Sequence, residues 1–131
     1  MSVPSKCITT AEAETLQNNW VSTRQTPIER AIGQLDTREF FFTVAELEEF
    51  LDYVKTNSTD SDPGIRIYFG AYNSMTNQKA TVFLAPTKGF AHDHENNYDL
   101  QPLNMAVGKI PPLNYDTNGV FNTVDNKNVI P

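Results

Sequence analysis

Behind Thr9-Thr10-Ala11-Glu12, apolar residues Ala13, Leu16, Trp20 and Val21 recur at three- and four-residue spacing, which predicts a helix over about 10–24 with one stripe facing inward. Thr9 and Glu12 stand at the positions of a capping box, in which a hydroxyl and a carboxylate each satisfy an orphan amide of the first turn. Thr26-Pro27-Ile28-Glu29 repeats the start signal with proline at the first helical position, where its missing N–H costs nothing. Ile28, Ala31, Ile32 and Leu35 then predict a short second helix to about 35, weakened by Gly33. Residues 38–42 are few and aromatic and read as a short strand feeding Thr43-Val44-Ala45-Glu46, a second capping box with Phe42 and Leu47 placed as a hydrophobic staple. Val44, Leu47, Phe50, Leu51 and Val54 give the clearest amphipathic period of the chain and predict a third helix over 44–56.

Residues 57–64 bring Ser, Thr, Asp, Pro and Gly in quick succession and read as a loop. The β signals follow: 64–72 and 80–86 are rich in Ile, Val, Phe and Tyr, and a polar seven-residue connection between them predicts an antiparallel hairpin. On the first strand Ile65, Ile67, Phe69 and Ala71 share the face expected to meet the helices; Arg66, Tyr68, Gly70 and Tyr72 share the other. Beyond Thr87 regular patterning fades among prolines and eight asparagines. Apolar residues still recur there, so an irregular ordered wrap with one or two short strands is expected to dock on the exposed sheet face. The fold class that results is α+β: about three helices packed on one face of a small, mainly antiparallel sheet, with an irregular C-terminal wrap.

Length and charge sharpen this picture. With 131 residues, a single domain is expected: a flexible start over 1–8, a helix-and-hairpin core over 9–87 and the wrap over 88–131. Ten Lys and Arg stand against 16 Asp and Glu, a net charge of −6. The whole excess lies between Glu39 and Asp62, where seven acids face Lys55 alone. Glu46, Glu48, Glu49 and Asp52 therefore mark a negative helix face, read as an interaction surface for a basic protein partner; the plain alternative is a solvated helix face. Nucleic acid is not an expected partner, because phosphate binding needs clustered cations and no Lys/Arg cluster occurs. Cys7 stands alone, which removes an internal disulfide or a thiolate-rich metal site and suits a reducing compartment. With no apolar run long enough for a signal segment or a membrane span, the expected location is cytoplasmic, with no membrane partner.

Three groups of residues carry candidate chemistry. His92-Asp93-His94-Glu95 puts both histidines of the chain on one side of an extended segment, where His92 and His94 with Asp99 form a candidate metal set; the alternative is an exposed polar turn. Arg66, Tyr68 and Tyr72 place a guanidinium and two phenols in a row, a candidate ligand-binding face for a carboxylate or an aromatic group. Its structural alternative pairs Arg66 with an acid from the tail and buries both rings. Phe40, Phe41 and Phe42 alternate across a strand, so at least one ring needs cover beyond a single core face, and a second copy of the chain is one source of it. No nucleophile elbow, P-loop or dinucleotide fingerprint is present, no cofactor is implied, and Glu48 and Glu49 diverge by about 100° on a helix, too far to act as an acid/base pair.

The leading helix around Leu16 to Arg24, the aromatic strand entering a helix from Phe41 to Leu51, then Gly64-Ile65-Arg66-Ile67-Tyr68-Phe69-Gly70-Ala71-Tyr72 and Thr81-Val82-Phe83-Leu84-Ala85-Pro86-Thr87, resemble a group of small uncharacterised bacterial α+β proteins. The resemblance covers roughly residues 10–89, is most specific in Ile-Arg-Ile-Tyr-Phe-Gly, and implies a compact α+β domain without catalytic residues to carry over. The functional expectation is a non-catalytic protein-interaction domain presenting an acidic helix. The alternatives are a small-ligand binder or metal-dependent enzyme built on Arg66, Tyr68 and Tyr72 with His92 and His94, and a homo-oligomer formed through the phenylalanine run.

Overall fold

The computed structural model describes residues 2–89, 94–105 and 108–118. They form two compact units, one of the residues up to Asp36 with those from Lys109 onward, the other of Thr37–Gly108. The architecture is α+β, with a four-stranded antiparallel sheet. No helix among the described residues is long and apolar enough to cross a membrane.

In the first unit the predicted capping box forms: the Glu12 amide donates to Thr9 Oγ1 at 3.1 Å and the Thr9 amide to Glu12 Oε1 at 3.2 Å. Helix α1 spans Thr10–Trp20 and helix α2 Thr26–Ile32, but the break expected at Pro27 is absent. A π turn over Val21–Gln25 joins them into one continuous rod. The reason is local. Proline has no N–H for the carbonyl four residues back and its ring crowds that carbonyl; a widened turn directly ahead of it carries the helix past the defect. Among the described residues two helical rods therefore stand where about three helices were expected. The second stop comes at Gly33, whose φ of 70° supplies the left-handed cap and whose amide donates to the Glu29 carbonyl. The buried Glu29 carboxylate then accepts the Asp36 amide at 2.8 Å, holding the chain that leaves the helix.

The inward stripe predicted for α1 is a second correction. Leu16 is exposed, Trp20 is half-buried beneath the Arg24 guanidinium, and no α1 residue is buried. The contacts of α1 with residues 115–117 are polar: Gln17 exchanges hydrogen bonds with the Tyr115 backbone, and Glu14 accepts from the Thr117 hydroxyl at 2.7 Å.

In the second unit residues 38–42 run into helix α3, Val44–Asn57, without joining a strand ladder. Phe40 and Phe42 pack on the core while Phe41 is exposed, the alternation an extended chain imposes. Thr43 and Glu46 close the second capping box with both bonds at 3.0 Å. The inward face of α3 is Leu47, Phe50, Tyr53 and Val54; Leu51 and Val44, the latter 73% exposed, point away from it although both belong to the apolar period of the sequence.

Strand β1, Gly64–Ala71, pairs antiparallel with β2, Ala80–Lys88, in the register Ile65↔Pro86 through Phe69↔Val82, as the hairpin pattern predicts. Strands β3, Glu95–Asn96, and β4, Leu103–Met105, both pair with the other edge of β2. The two short tail strands are thus present, but they extend the sheet at its edge, where a docking on the sheet face was expected. Pro86 explains their separation. Its carbonyl accepts the Asn97 amide at 2.9 Å, so its nitrogen faces the same edge with no proton to offer. The chain leaves the ladder after Asn96, turns through Asn97 and returns at Leu103.

Phe50 and Val54 pack on Val82 and Leu84, with Ile65, Leu100 and Leu103 around them. Directly opposed residues share a sheet face, so Ile65, Ile67 and Phe69 lie on the α3 side with Leu84 and Val82. Only Ile65 reaches the core; Ile67 and Phe69 are 65% and 79% exposed, because β1 ends the strand order and α3 packs over β2. Gly108 passes so close to the Glu39 carbonyl that a Cβ there would overlap it, which requires glycine at that position.

Both capping boxes predict an acid response. The Thr9 and Thr43 amides, with the hydroxyls of the same residues, hold the Glu12 and Glu46 carboxyls below their ordinary value of 4.5. A lowered folded-state value means that each contribution is full above pH 4.5 and is lost as pH falls through the folded value. Glu46→Gln should flatten the fall in urea midpoint of the second unit as pH drops below about 4.5. A Gln variant whose midpoints parallel the parent chain throughout would show the box to be without energetic consequence.

Candidate functional site

The row predicted on β1 forms on the sheet face away from α3, and the tail supplies its partners. Arg66 Nη1 donates to Asn96 Oδ1 at 2.7 Å, and Nη2 to the His94 carbonyl at 3.0 Å. A guanidinium can only donate, so it fixes the orientation of the Asn96 amide. The Asn96 Nδ2 then donates to Tyr68 Oη at 2.8 Å and, at 3.5 Å, to Tyr98 Oη. Between Arg66 on β1 and Asn96 on β3 runs β2, where the register places Ala85 opposite Arg66. That small residue lets the guanidinium reach across the strand.

Further along the same face Tyr72 Oη donates to Asn104 Oδ1 at 3.3 Å, while Asn104 Nδ2 donates to Thr81 Oγ1 and to the Val82 carbonyl. The Tyr68 ring stacks on Phe83 with centroids 5.1 Å apart and planes 17° from parallel. Arg66, Tyr68 and Tyr72 share one sheet face, as their spacing predicts, and Asn96, Asn104 and Phe83 join them there unforeseen. Phe83 was legible from alternation on β2; the asparagines carried no signal, because nothing in the tail specified its register on β2.

The acid expected beside Arg66 is replaced by two neutral acceptors. Among the described residues no carboxylate forms an ion pair with it.

His94 is half-buried, and its Nε2 lies 2.9 Å from the Asp62 carbonyl oxygen and 3.3 Å from Asp62 Oδ2. A shallow cavity of about 350 Å³ lies there, lined by His94, Asp62, Arg66 and Thr87 among others. Asp99 is exposed, and its amide donates to Asn97 Oδ1 within the turn. His92 lies outside the described residues. Among those described, no group of three or more His, Cys, Asp or Glu is placed to hold a metal ion.

Of the acidic set, Glu46 is engaged in its capping box, and Asp52 lies 3.8 Å from Lys55 Nζ with both side chains largely in solvent, a weak pair. Glu48 and Glu49 are exposed.

Comparison with known proteins gives no match: no family model fits the chain, and no curated protein or solved structure is significantly similar to it.

Proposed function

We propose that this protein is a non-catalytic protein-interaction module whose acidic helix α3 engages a basic protein surface. The observation that carries the reading is the outward face of α3, where exposed Val44 and Leu51 stand at i and i+7 with Glu48 between them at i+4. Glu49 and Asp52 flank that stripe. An exposed stripe that mixes apolar and acidic groups suits a partner whose own apolar residues are bordered by Lys or Arg, since apolar contact gives affinity and complementary charge gives register and encounter rate. The hydrogen bonds along the Arg66 row support the same reading, because the guanidinium and the Asn96 amide are spent on each other and on the chain.

The test compares the parent chain with a Glu48→Lys, Glu49→Lys, Asp52→Lys variant as bait in native lysate at low and high salt. The partners should be lost from the variant and, for the parent, diminish at high salt as screening rises. An identical, salt-insensitive set of partners on both baits would remove α3 from the interaction.

A further inference from the structure

On the sheet face away from α3 lies a concavity of about 310 Å³, lined by Tyr68, Phe83, Tyr98, Leu100 and Pro102, with the Asn96 amide among them. Its volume is at the small end of the range for ligand sites. The walls are aromatic rings, a proline and a leucine.

The polar groups at this concavity are unequal in kind. Both phenols accept from Asn96 Nδ2, so each keeps its own O–H proton to donate, and among the described residues neither has an acceptor. Several nearby acceptors already take one bond from the chain. The Pro86 carbonyl takes the Asn97 amide, the Asn97 carbonyl takes the Leu100 amide, and Asn97 Oδ1 takes the Asp99 amide. Asn96 Oδ1 takes Arg66. What faces a ligand is an apolar, ring-lined hollow bordered by two hydroxyls that each keep a proton to donate.

The complement of such a site is a ligand with apolar rings and acceptor oxygens but few donors. A prolyl segment has this composition: its pyrrolidine rings are apolar, its carbonyls accept, and it has no N–H. Charge adds to the choice, because the exposed acid Asp99 follows Tyr98 directly in the chain, which favours a basic residue beside the prolines. We propose that the Tyr68–Tyr98 concavity binds a proline-rich peptide segment flanked by a basic residue, as aromatic-lined grooves elsewhere hold extended proline helices. The site is on the opposite sheet face from α3 and does not depend on the role proposed for that helix.

The experiment titrates a blocked peptide of six prolines ending in arginine into the isotope-labelled full chain and follows amide resonances. Shifts should saturate and centre on Asn96, Asn97, Tyr98 and Leu100. Tyr98 is 88% exposed, so Tyr98→Ala leaves the fold intact; it should weaken binding about tenfold or more, as loss of an aromatic anchor does. Tyr98→Phe, which keeps the ring and removes one donor, should weaken it about two- to tenfold. The peptide ending in glutamate should bind less tightly than the arginine form. The Glu48→Lys, Glu49→Lys, Asp52→Lys variant should still place the peptide's shifts on these same residues, so failure here and failure of the α3 reading are distinguishable. Absence of shifts at millimolar peptide, shifts centred elsewhere, affinity indifferent to Tyr98→Ala, or saturable binding of cellohexaose at these residues in place of the peptide would each overturn the proposal.

Discussion

Replacing Phe50 with alanine should destabilise the Thr37–Gly108 unit by about 3–5 kcal/mol, the cost of truncating a buried aromatic ring in a core that closes only partly over the space. Phe50 is among the few buried apolar residues of the described chain, and Val54, Val82 and Leu84 share one cluster with it. Tyr53, its ring centroid 6.1 Å away, would lose its aromatic neighbour as well. Among the described residues this is the one cluster of buried apolar side chains, so no second one there is at hand to compensate. Stabilities in this range compare with the whole folding free energy of a small domain, and the variant should be largely unfolded or close to it. Urea midpoints followed by circular dichroism, with hydrogen exchange resolved by residue, would separate the response of this unit from that of the other. Leu51→Ala is the paired control. Leu51 belongs to the same apolar period but is exposed, and its truncation should stay within about 0.5 kcal/mol. Equal losses in the two variants would mean that α3 buries the broad stripe of the sequence and not the narrower face centred on Phe50.

That contrast shows where the sequence was legible and where it was not. Capping boxes are local: Thr9 with Glu12 and Thr43 with Glu46 involve groups three residues apart, and both helix starts fall where the residues placed them. The hairpin was legible for the same reason, since two β-rich runs around one short polar connection leave little choice of partner. Periodicity gives a direction but not its limits. Val44, Leu51, Ile67 and Phe69 all fit their stripes and are all exposed, because a stripe names the apolar side of an element and not the breadth of the surface that covers it. Pro27 is a different kind of miss: the start signal was real, but a π turn let the preceding helix continue through it.

The candidate site was half legible. Strand alternation alone put Arg66, Tyr68 and Tyr72 in one row. Their partners Asn96 and Asn104 come from segments whose pairing depends on a tertiary fact, the second edge of β2 and its interruption at Pro86. Nothing in a run of asparagines specifies that register. The same fact explains why the tail answers Arg66 with an amide and a carbonyl: β3 brings Asn96 opposite Thr87, one sheet position from Ala85, within reach of the guanidinium.

Arg66→Met should therefore cost about 1.5–3 kcal/mol, the range for hydrogen bonds to a charged group when the partners remain partly buried. Methionine preserves the aliphatic stem, so the loss reports on the fork itself. Asn96 Oδ1 and the His94 carbonyl lose their donor together, and the amide that holds Tyr68 loses the contact that orients it. Arg66→Lys should recover only part of the loss, since an ammonium is a point charge without the planar fork that serves two acceptors at once. A cycle with Asn96→Leu tests the link directly. If the two residues act through each other, the double variant should lose less than the sum of the two single losses, by about 0.5–3 kcal/mol of coupling. Hydrogen exchange should locate the effect at the β2–β3 pairing around Thr87 and leave α3 protected. Additive losses, or a methionine variant as stable as the parent chain, would mean that β3 is held by its ladder bonds alone and that Arg66 is free to serve a ligand.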